Sequence, residues 1–256
     1  MALTFKFIPL TFLNNPEEIN KIIRNTIILK YLYKISKSTV PLQSLIEGTQ
    51  YGYNDSAKKS GKNKFLRISD IKDGAVDWET VPFCDCTDEE TYLLNPKDIL
   101  VARTGGTTGK SFMISEPPKS SIYAGYLIRI RANESTVPEY LNLFLNSYAY
   151  WSQIVSLNED NFRPRVNAES LKILVVPNCS VEIQSDAVKI SNGEFLENYD
   201  ELFDKMKQLE KCNDLEEEYK TSLKYASMLK EAMIIDAFET KTEVSEWTLV
   251  QLKSLI

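Results

Sequence analysis

Tyr92–Ser111 reads YLLNPKDILVARTGGTTGKS, and the rest of the chain is organised around it. Asn95-Pro96-Lys97-Asp98 is turn chemistry: proline presets φ, and Asn and Asp side chains bond to nearby backbone. Ile99–Ala102 is a short apolar run of the kind that forms a buried strand. It delivers Arg103 and then the loop Thr104-Gly105-Gly106-Thr107-Thr108-Gly109-Lys110-Ser111. Three glycines let that backbone bend and come close to a partner. Four hydroxyls, two cations and free backbone N–H groups make it a candidate phosphate cradle. The spacing is not that of a nucleotide-binding P-loop, which needs glycine where Thr104 stands and a helix afterwards. Phe112-Met113-Ile114 is too short for that helix and stops at Glu116-Pro117-Pro118. The plainer reading of the loop is a tight strand-to-strand turn that binds nothing.

The chain of 256 residues has room for one large or two small domains, and 43% hydrophobic content is enough for a full core. No apolar run approaches the roughly 18 residues that span a membrane. The N-terminal MALTFKFIPL lacks the basic and long apolar regions of a secretory signal. The expected setting is therefore cytoplasmic, with no membrane partner. The four cysteines, Cys84, Cys86, Cys179 and Cys212, read as reduced thiols. There is no histidine, which excludes Ser–His and Cys–His nucleophilic pairs and histidine-ligated metal catalysis. No methyltransferase or dinucleotide motif is present. The sequence thus indicates no cofactor, no metal and no catalytic residue, although carboxylate-only chemistry stays open.

A net charge of −6 argues on its face against nucleic acid. Its distribution matters more. Residues 1–38 carry +4, residues 39–177 carry −2 and residues 178–256 carry −8. The most basic stretch, Ser56–Ser69, holds Lys58, Lys59, Lys62, Lys64 and Arg67 and no acid, beside Tyr51 and Tyr53. Either it contacts phosphates or it is a solvated loop.

In chain order, Pro16–Lys34 reads as a helix, opened by Pro-Glu-Glu and closed by lysine. Phe65–Ile71 and Val76–Val81 have strand character around a Lys72-Asp73-Gly74 turn. Ile122–Ile130 reads as one strand and Val137–Leu157 as one helix. Its aromatic stripe belongs to a core rather than a base-stacking platform. Phe195, Tyr199, Leu202, Met206 and Leu209 form a heptad seam, resumed at Leu215, Tyr219, Leu223, Ala226, Leu229, Met233 and Ala237. A continuous helix over Glu194–Phe238 would be roughly 65 Å long and would need another long helix against its stripe. Val250–Ile256 repeats Val40–Ile46 at five of seven positions.

Four pieces in sequence, YGYN at Tyr51–Asn54, FLRISDIKDGAVDW at Phe65–Trp78, the central stretch through YAGYLIRIR, and NFRPRVNAESLKILVVP at Asn161–Pro177, resemble the target recognition domain of type I restriction–modification specificity (S) subunits. The resemblance covers Val40 to Pro177. It implies an α/β fold: a mixed-sheet recognition domain followed by a long coiled-coil-forming helix. The expected division is an N-terminal helical extension at 1–38, the DNA recognition domain at 39–180, the long helix at 181–240 and the start of a truncated second repeat at 241–256. The family's S subunit has no catalysis of its own. It reads double-stranded DNA for a methyltransferase (M) subunit and, through it, for a restriction (R) subunit. Alternatives are a detached recognition domain of a fused restriction–methylation enzyme and a coiled-coil scaffold that binds no DNA. One recognition domain and one unpaired seam together point to a homodimer through the long helix. On this reading the DNA contacts are sought among Tyr51, Lys58, Lys59, Lys62, Lys64, Arg67, Arg103, Thr104, Gly105, Thr107, Thr108, Lys110, Ser111, Arg163 and Arg165, with Lys58, Lys59, Lys62, Lys64, Lys110 and Ser111 on phosphates and Tyr51, Arg103, Thr107, Thr108 and Arg163 on base edges.

Overall fold

A computed structural model describes residues 16–36, 38–72, 74–158 and 165–207. The chain divides into a compact unit, Met1–Leu202, and a second unit, Phe203–Ile256. The first is a mixed α/β assembly.

The apolar run at the centre of the sequence forms strand β7, Ile99–Ala102, with all four residues buried. The strand is interior to a four-stranded antiparallel sheet, and its alternating side chains are buried on both faces of that sheet. Its neighbours are β8 (Ser111–Met113) and β10 (Leu127–Ala132), and β2 (Ile46–Tyr51) follows beyond β10. The turn before β7 forms as the residues dictate. Asp98 N–H donates to Asn95 O, Asn95 N–H donates to Asp98 Oδ2, and Lys97 takes the left-handed φ of 70°. Asp98 itself is buried against Arg131, whose Nε donates to Oδ1 at 2.6 Å.

A second sheet joins β3 (Asn63–Leu66) antiparallel to β6 (Phe83–Cys84) and parallel to β9 (Ser121–Tyr123), so it is mixed. Here the sequence reading needs correction. Ile122–Ile130 is not one strand: it turns at Ala124-Gly125-Tyr126 and passes from the mixed sheet as β9 to the antiparallel sheet as β10. The crossing is possible because a second glycine lies against it. A Cβ on Gly52 would sit 2.2 Å from Ala124 O. Tyr53 N–H donates to Tyr123 O and Gly125 N–H to Tyr53 O, both at 2.8 Å. The YGYN and YAGY motifs are thus two halves of one corner. Leu66, Leu94, Leu100, Tyr123 and Leu127 fill the core between the sheets.

Other boundaries also move. Strand β3 ends at Leu66 because Asp70 draws Arg67 into a tight turn, accepting from its backbone N–H and its Nε. Of Val76–Val81 only Val76 is in a strand, paired through the hairpin of β4 (Ile71–Lys72) and β5 (Ala75–Val76). Val137–Leu157 is two helices, α3 (Pro138–Leu145) and α4 (Tyr148–Ser156), following the short α2 (Glu89–Tyr92). The break falls at Asn146-Ser147, where the Ser147 side chain caps α4 by accepting from Tyr150 N–H. The aromatic stripe is core, with Tyr140, Phe144 and Tyr150 fully buried.

Helix α1, Pro16–Ile35, is built into the domain rather than appended to it. Ile27, Ile28, Leu29 and Leu32 are buried. Asn25 Nδ2 donates to Asn146 O, and Thr26 Oγ1 accepts from Tyr148 N–H, so α1 is fastened to the α3–α4 junction. Strand β1 (Thr39–Pro41) pairs antiparallel with β11 (Val175–Pro177), after α5 (Ala168–Lys172), and ties together the two ends of the stretch between them.

The continuous helix expected from Glu194 is also corrected. Helix α6, Val181–Ser191, ends at Asn192 and Gly193, the latter at φ 94°. Helical backbone resumes only at residue 200 and is present through 207, the last described residue. The seam's first members therefore do not share one helix face. Phe195 is exposed, whereas Tyr199 packs edge-on against Tyr31 and Leu202 is fully buried. The seam from Leu209 onward and the repeat at Val250–Ile256 lie outside the described residues. Among the described residues no helix is long and apolar enough to cross a membrane.

Candidate nucleic-acid interface

The four-stranded sheet has one end at which the candidate residues gather. Strands β2 and β7 finish there, at Tyr51 and Ala102, and β8 and β10 begin there, at Ser111 and Leu127. Loop 103–110 joins β7 to β8 as a hairpin at this rim, the strand-to-strand turn of the plainer reading. Gly105 and Gly109 take left-handed φ values of 88° and 86°. Gly109 N–H donates to Ala102 O, Lys110 N–H to Thr107 O, and Thr108 donates both N–H and Oγ1 to Gly105 O. Three of the backbone donors proposed for a phosphate cradle are thus spent on the turn itself. What the loop offers outward is Gly105 and Gly106, both exposed, with Thr104, Thr107 and Lys110 half-exposed beside them. Its base is rigid: Tyr150 Oη donates to Gly109 O, and Asn146 Nδ2 donates to Ser111 Oγ at 3.1 Å. Ser111 is thereby tied to the helix layer.

Arg103 and Tyr51 meet at the same rim. The guanidinium lies 4.4 Å from the Tyr51 ring centroid, and Nη1 donates to Gly125 O at 2.8 Å. Arg103 Nε is buried with no hydrogen-bond partner among the described residues. Tyr51 is 37% exposed, and its hydroxyl accepts from Ala168 N–H. Val166 N–H donates to Arg103 O, which brings in the exposed Arg165 just before it. Arg103 therefore braces the corner at Gly125 as well as facing the rim. Arg163 lies outside the described residues.

Electrostatics favours this rim. The stretches at the rim itself, 51–54, 102–111, 124–127 and 165–168, contain Arg103, Lys110 and Arg165 and no carboxylate, with Asp55 and Glu169 the next residues along the chain.

The lysine-rich stretch behaves differently. Lys58 Nζ pairs with Asp85 at 2.9 Å, Lys62 pairs with Glu89, and Arg67 binds Asp70 through Nε and Nη2. The Lys58 hydrogen bond holds the Asp85 carboxyl below its ordinary range, and Lys62 does the same for Glu89. Lys64 lies over the Phe83 ring and donates to Val81 O. Lys59 has no such partner among the described residues and, with Arg67, borders a shallow groove beside Thr80 and Pro82. The stretch is acid-free in sequence and largely neutralised in space, because Asp85 and Glu89 are supplied from more than twenty residues away. Lys64 lies in β3, three residues and about 10 Å of strand before Arg67.

Sequence reasoning missed Tyr126. It stands at the rim opposite Arg103, whose N–H donates to Tyr126 O at 3.0 Å, and its side chain is 67% exposed. Its signal, an aromatic directly after the glycine of YAGY, was hidden by reading the run as an uninterrupted strand. Arg129 and Arg131 serve the fold: both donate to Leu93 O, and Arg129 is buried. Cys84, Cys86 and Cys179 are buried free thiols, and burial pushes Cys84 up to about 12. Among the described residues no cluster is placed to hold a metal ion.

No family model matches the chain. A curated relative, the type I restriction enzyme EcoKI specificity subunit of Escherichia coli K12, is 27% identical over 112 residues, which is 41% of this chain and 24% of that one. Among solved structures, the HsdS subunit of Thermoanaerobacter tengcongensis overlays 79% of this chain and 48% of its own at 12% identity and a TM-score of 0.49. The type I S subunit of M. genitalium overlays 79% of this chain and 52% of its own at 16% identity and the same TM-score. The chain thus spans about half the length of these structures, and its matched segment spans about a quarter of the curated relative. Over those 112 residues the chain is similar to the specificity subunit of a type I restriction–modification system.

Proposed function

We propose that this chain is a sequence-specific DNA-binding subunit, without catalysis of its own, that directs a type I methyltransferase and through it a restriction subunit to a target site. The observation that carries this is the rim of the four-stranded sheet. It combines a braced hairpin with exposed glycines, a Tyr51–Arg103 stack, Lys110 and Arg165, in segments free of carboxylates. Cations there neutralise phosphates and fix register, while Thr104, Thr107, Thr108 and Tyr51 face base edges. The curated match supports this functional class.

The heptad seam at Leu215–Ala237 pairs two copies, so two recognition domains read an interrupted palindrome. Leu202 is unsuitable for testing this, being fully buried in the first unit. Leu223→Glu with Leu229→Glu places two charges on the later seam and converts the dimer to monomer in light scattering. An unchanged mass would remove the seam from the interface.

The central test is co-expression with the cognate methyltransferase and mapping of methylated sites. A single bipartite motif is the expected result. Methylation independent of this chain, or none in its presence, would refute the reading.

A further inference from the structure

We infer that Tyr126 is a DNA-contacting side chain whose ring packs against the groove and adds binding that salt does not screen. The inference rests on the DNA-recognition reading and names a residue at that same rim.

Single exposed apolar residues are ordinary on protein surfaces and by themselves carry nothing. Three observations separate Tyr126 from that background. The first is its degree of exposure. At 67% it is, with Phe195 at 66%, the most exposed large hydrophobic residue among those described, and its hydroxyl has no hydrogen-bond partner among them.

The second is the rigidity of its backbone. Arg103 N–H donates to Tyr126 O, Leu127 N–H donates to Ala124 O at 2.9 Å, and Gly125 N–H donates to Tyr53 O. Arg103 Nη1 donates to Gly125 O from the other side. The adjoining corner admits no side chain at Gly52. A ring projecting from a backbone fixed this firmly loses little backbone freedom on binding. That makes an aromatic an efficient contact for its area.

The third is its company. Arg103, with an Nε that is buried and has no hydrogen-bond partner among the described residues, stacks on half-exposed Tyr51, and the segments around them carry cations and no acids. A polyanion drawn to that rim meets the Tyr126 ring. The ring's faces suit sugar, thymine methyl or base edge rather than phosphate.

The experiment uses the full chain in complex with its methyltransferase and a pool of random-sequence 40-bp duplexes, enriched by the unmodified complex and then sequenced. Affinity for the enriched duplex is measured across salt concentrations for Tyr126→Ala and Tyr126→Phe, with thermal unfolding of each variant. Alanine is expected to lower affinity roughly tenfold with the salt slope unchanged, and phenylalanine to keep most of it. Since the side chain faces solvent, both variants are expected to melt with the unmodified protein. Alanine binding as tightly as tyrosine would overturn the inference. So would a slope shallower by about one, which marks a phosphate contact. If the phenylalanine variant melts normally yet loses as much affinity as alanine, the hydroxyl is the contact and the ring proposal fails. A complex that enriches no duplex removes the DNA-recognition reading itself, an outcome distinct from these.

Discussion

Alanine at each of the three loop glycines should give a graded result set by geometry. Gly109 has φ 86°, and a Cβ there would lie 2.9 Å from Trp151 Cζ3 and 3.0 Å from Cη2. Carbon pairs prefer about 3.5–4.0 Å, and Trp151 is buried, so the ring cannot simply swing aside. The left-handed conformation costs alanine about 1–2 kcal/mol and the overpacking about 1–3 kcal/mol more. Gly109→Ala should therefore lose about 2–5 kcal/mol of the roughly 5–15 kcal/mol available to a domain. Gly105 has φ 88° and open space around its Cβ position, so Gly105→Ala carries only the conformational cost, about 1–2 kcal/mol. Gly106 is outside the left-handed region and also open, so Gly106→Ala should be neutral to within about 0.5 kcal/mol. Urea unfolding followed by tryptophan fluorescence measures all three. Equal losses at Gly106 and Gly109, or none at Gly109, would refute the account of the hairpin. Gly106→Val, as a variant with an open Cβ position, then tests DNA contact without confounding the fold.

Neutralising Lys110 and Arg165 together should reduce the log–log salt slope of DNA binding by about two, whereas Lys58→Ala with Lys62→Ala should change it by much less, since Asp85 and Glu89 already occupy those cations. Filter binding across a salt series compares the two, and equal slopes would return the lysine stretch to the interface. Asp98→Ala removes the buried partner of Arg131 and the cap on Asn95 N–H, and should cost about 3 kcal/mol in urea unfolding. An effect under about 0.5 kcal/mol would mean the pair contributes nothing net. Burial raises Cys84 from 9.0 to about 12, so folding favours its protonated form. That contribution is complete below pH 9.0 and is lost as pH rises from 9.0 toward 12, so unfolding midpoints should fall across that window and less steeply in Cys84→Ala. Parallel profiles would contradict it.

The sequence by itself determined what depends on neighbours along the chain. Four consecutive apolar residues at Ile99–Ala102 specify a buried strand because either face of it finds apolar surroundings. Asn95–Asp98 closes its own turn, since donor and acceptor lie within three residues. The ordered motifs fix the family resemblance, and the helix at Pro16–Ile35 carries its own start and stop signals. Tertiary structure decided whatever depends on residues far apart. Ser56–Ser69 looks like the strongest cationic patch until folding sets Asp85 and Glu89 against Lys58 and Lys62. Charge in a window of sequence says nothing about counter-ions delivered by another strand. Tyr126 becomes an exposed corner residue only because Gly52 and Gly125 let two strands change sheets against each other, a steric fact of two backbones. The seam that runs without interruption through Phe195, Tyr199 and Leu202 on paper is broken by non-helical backbone at 194–199, with Asn198 in the left-handed region. Tyr199 and Leu202 are then drawn onto the domain's own helices, because burial there satisfies the same side chains that helical spacing had assigned to a partner.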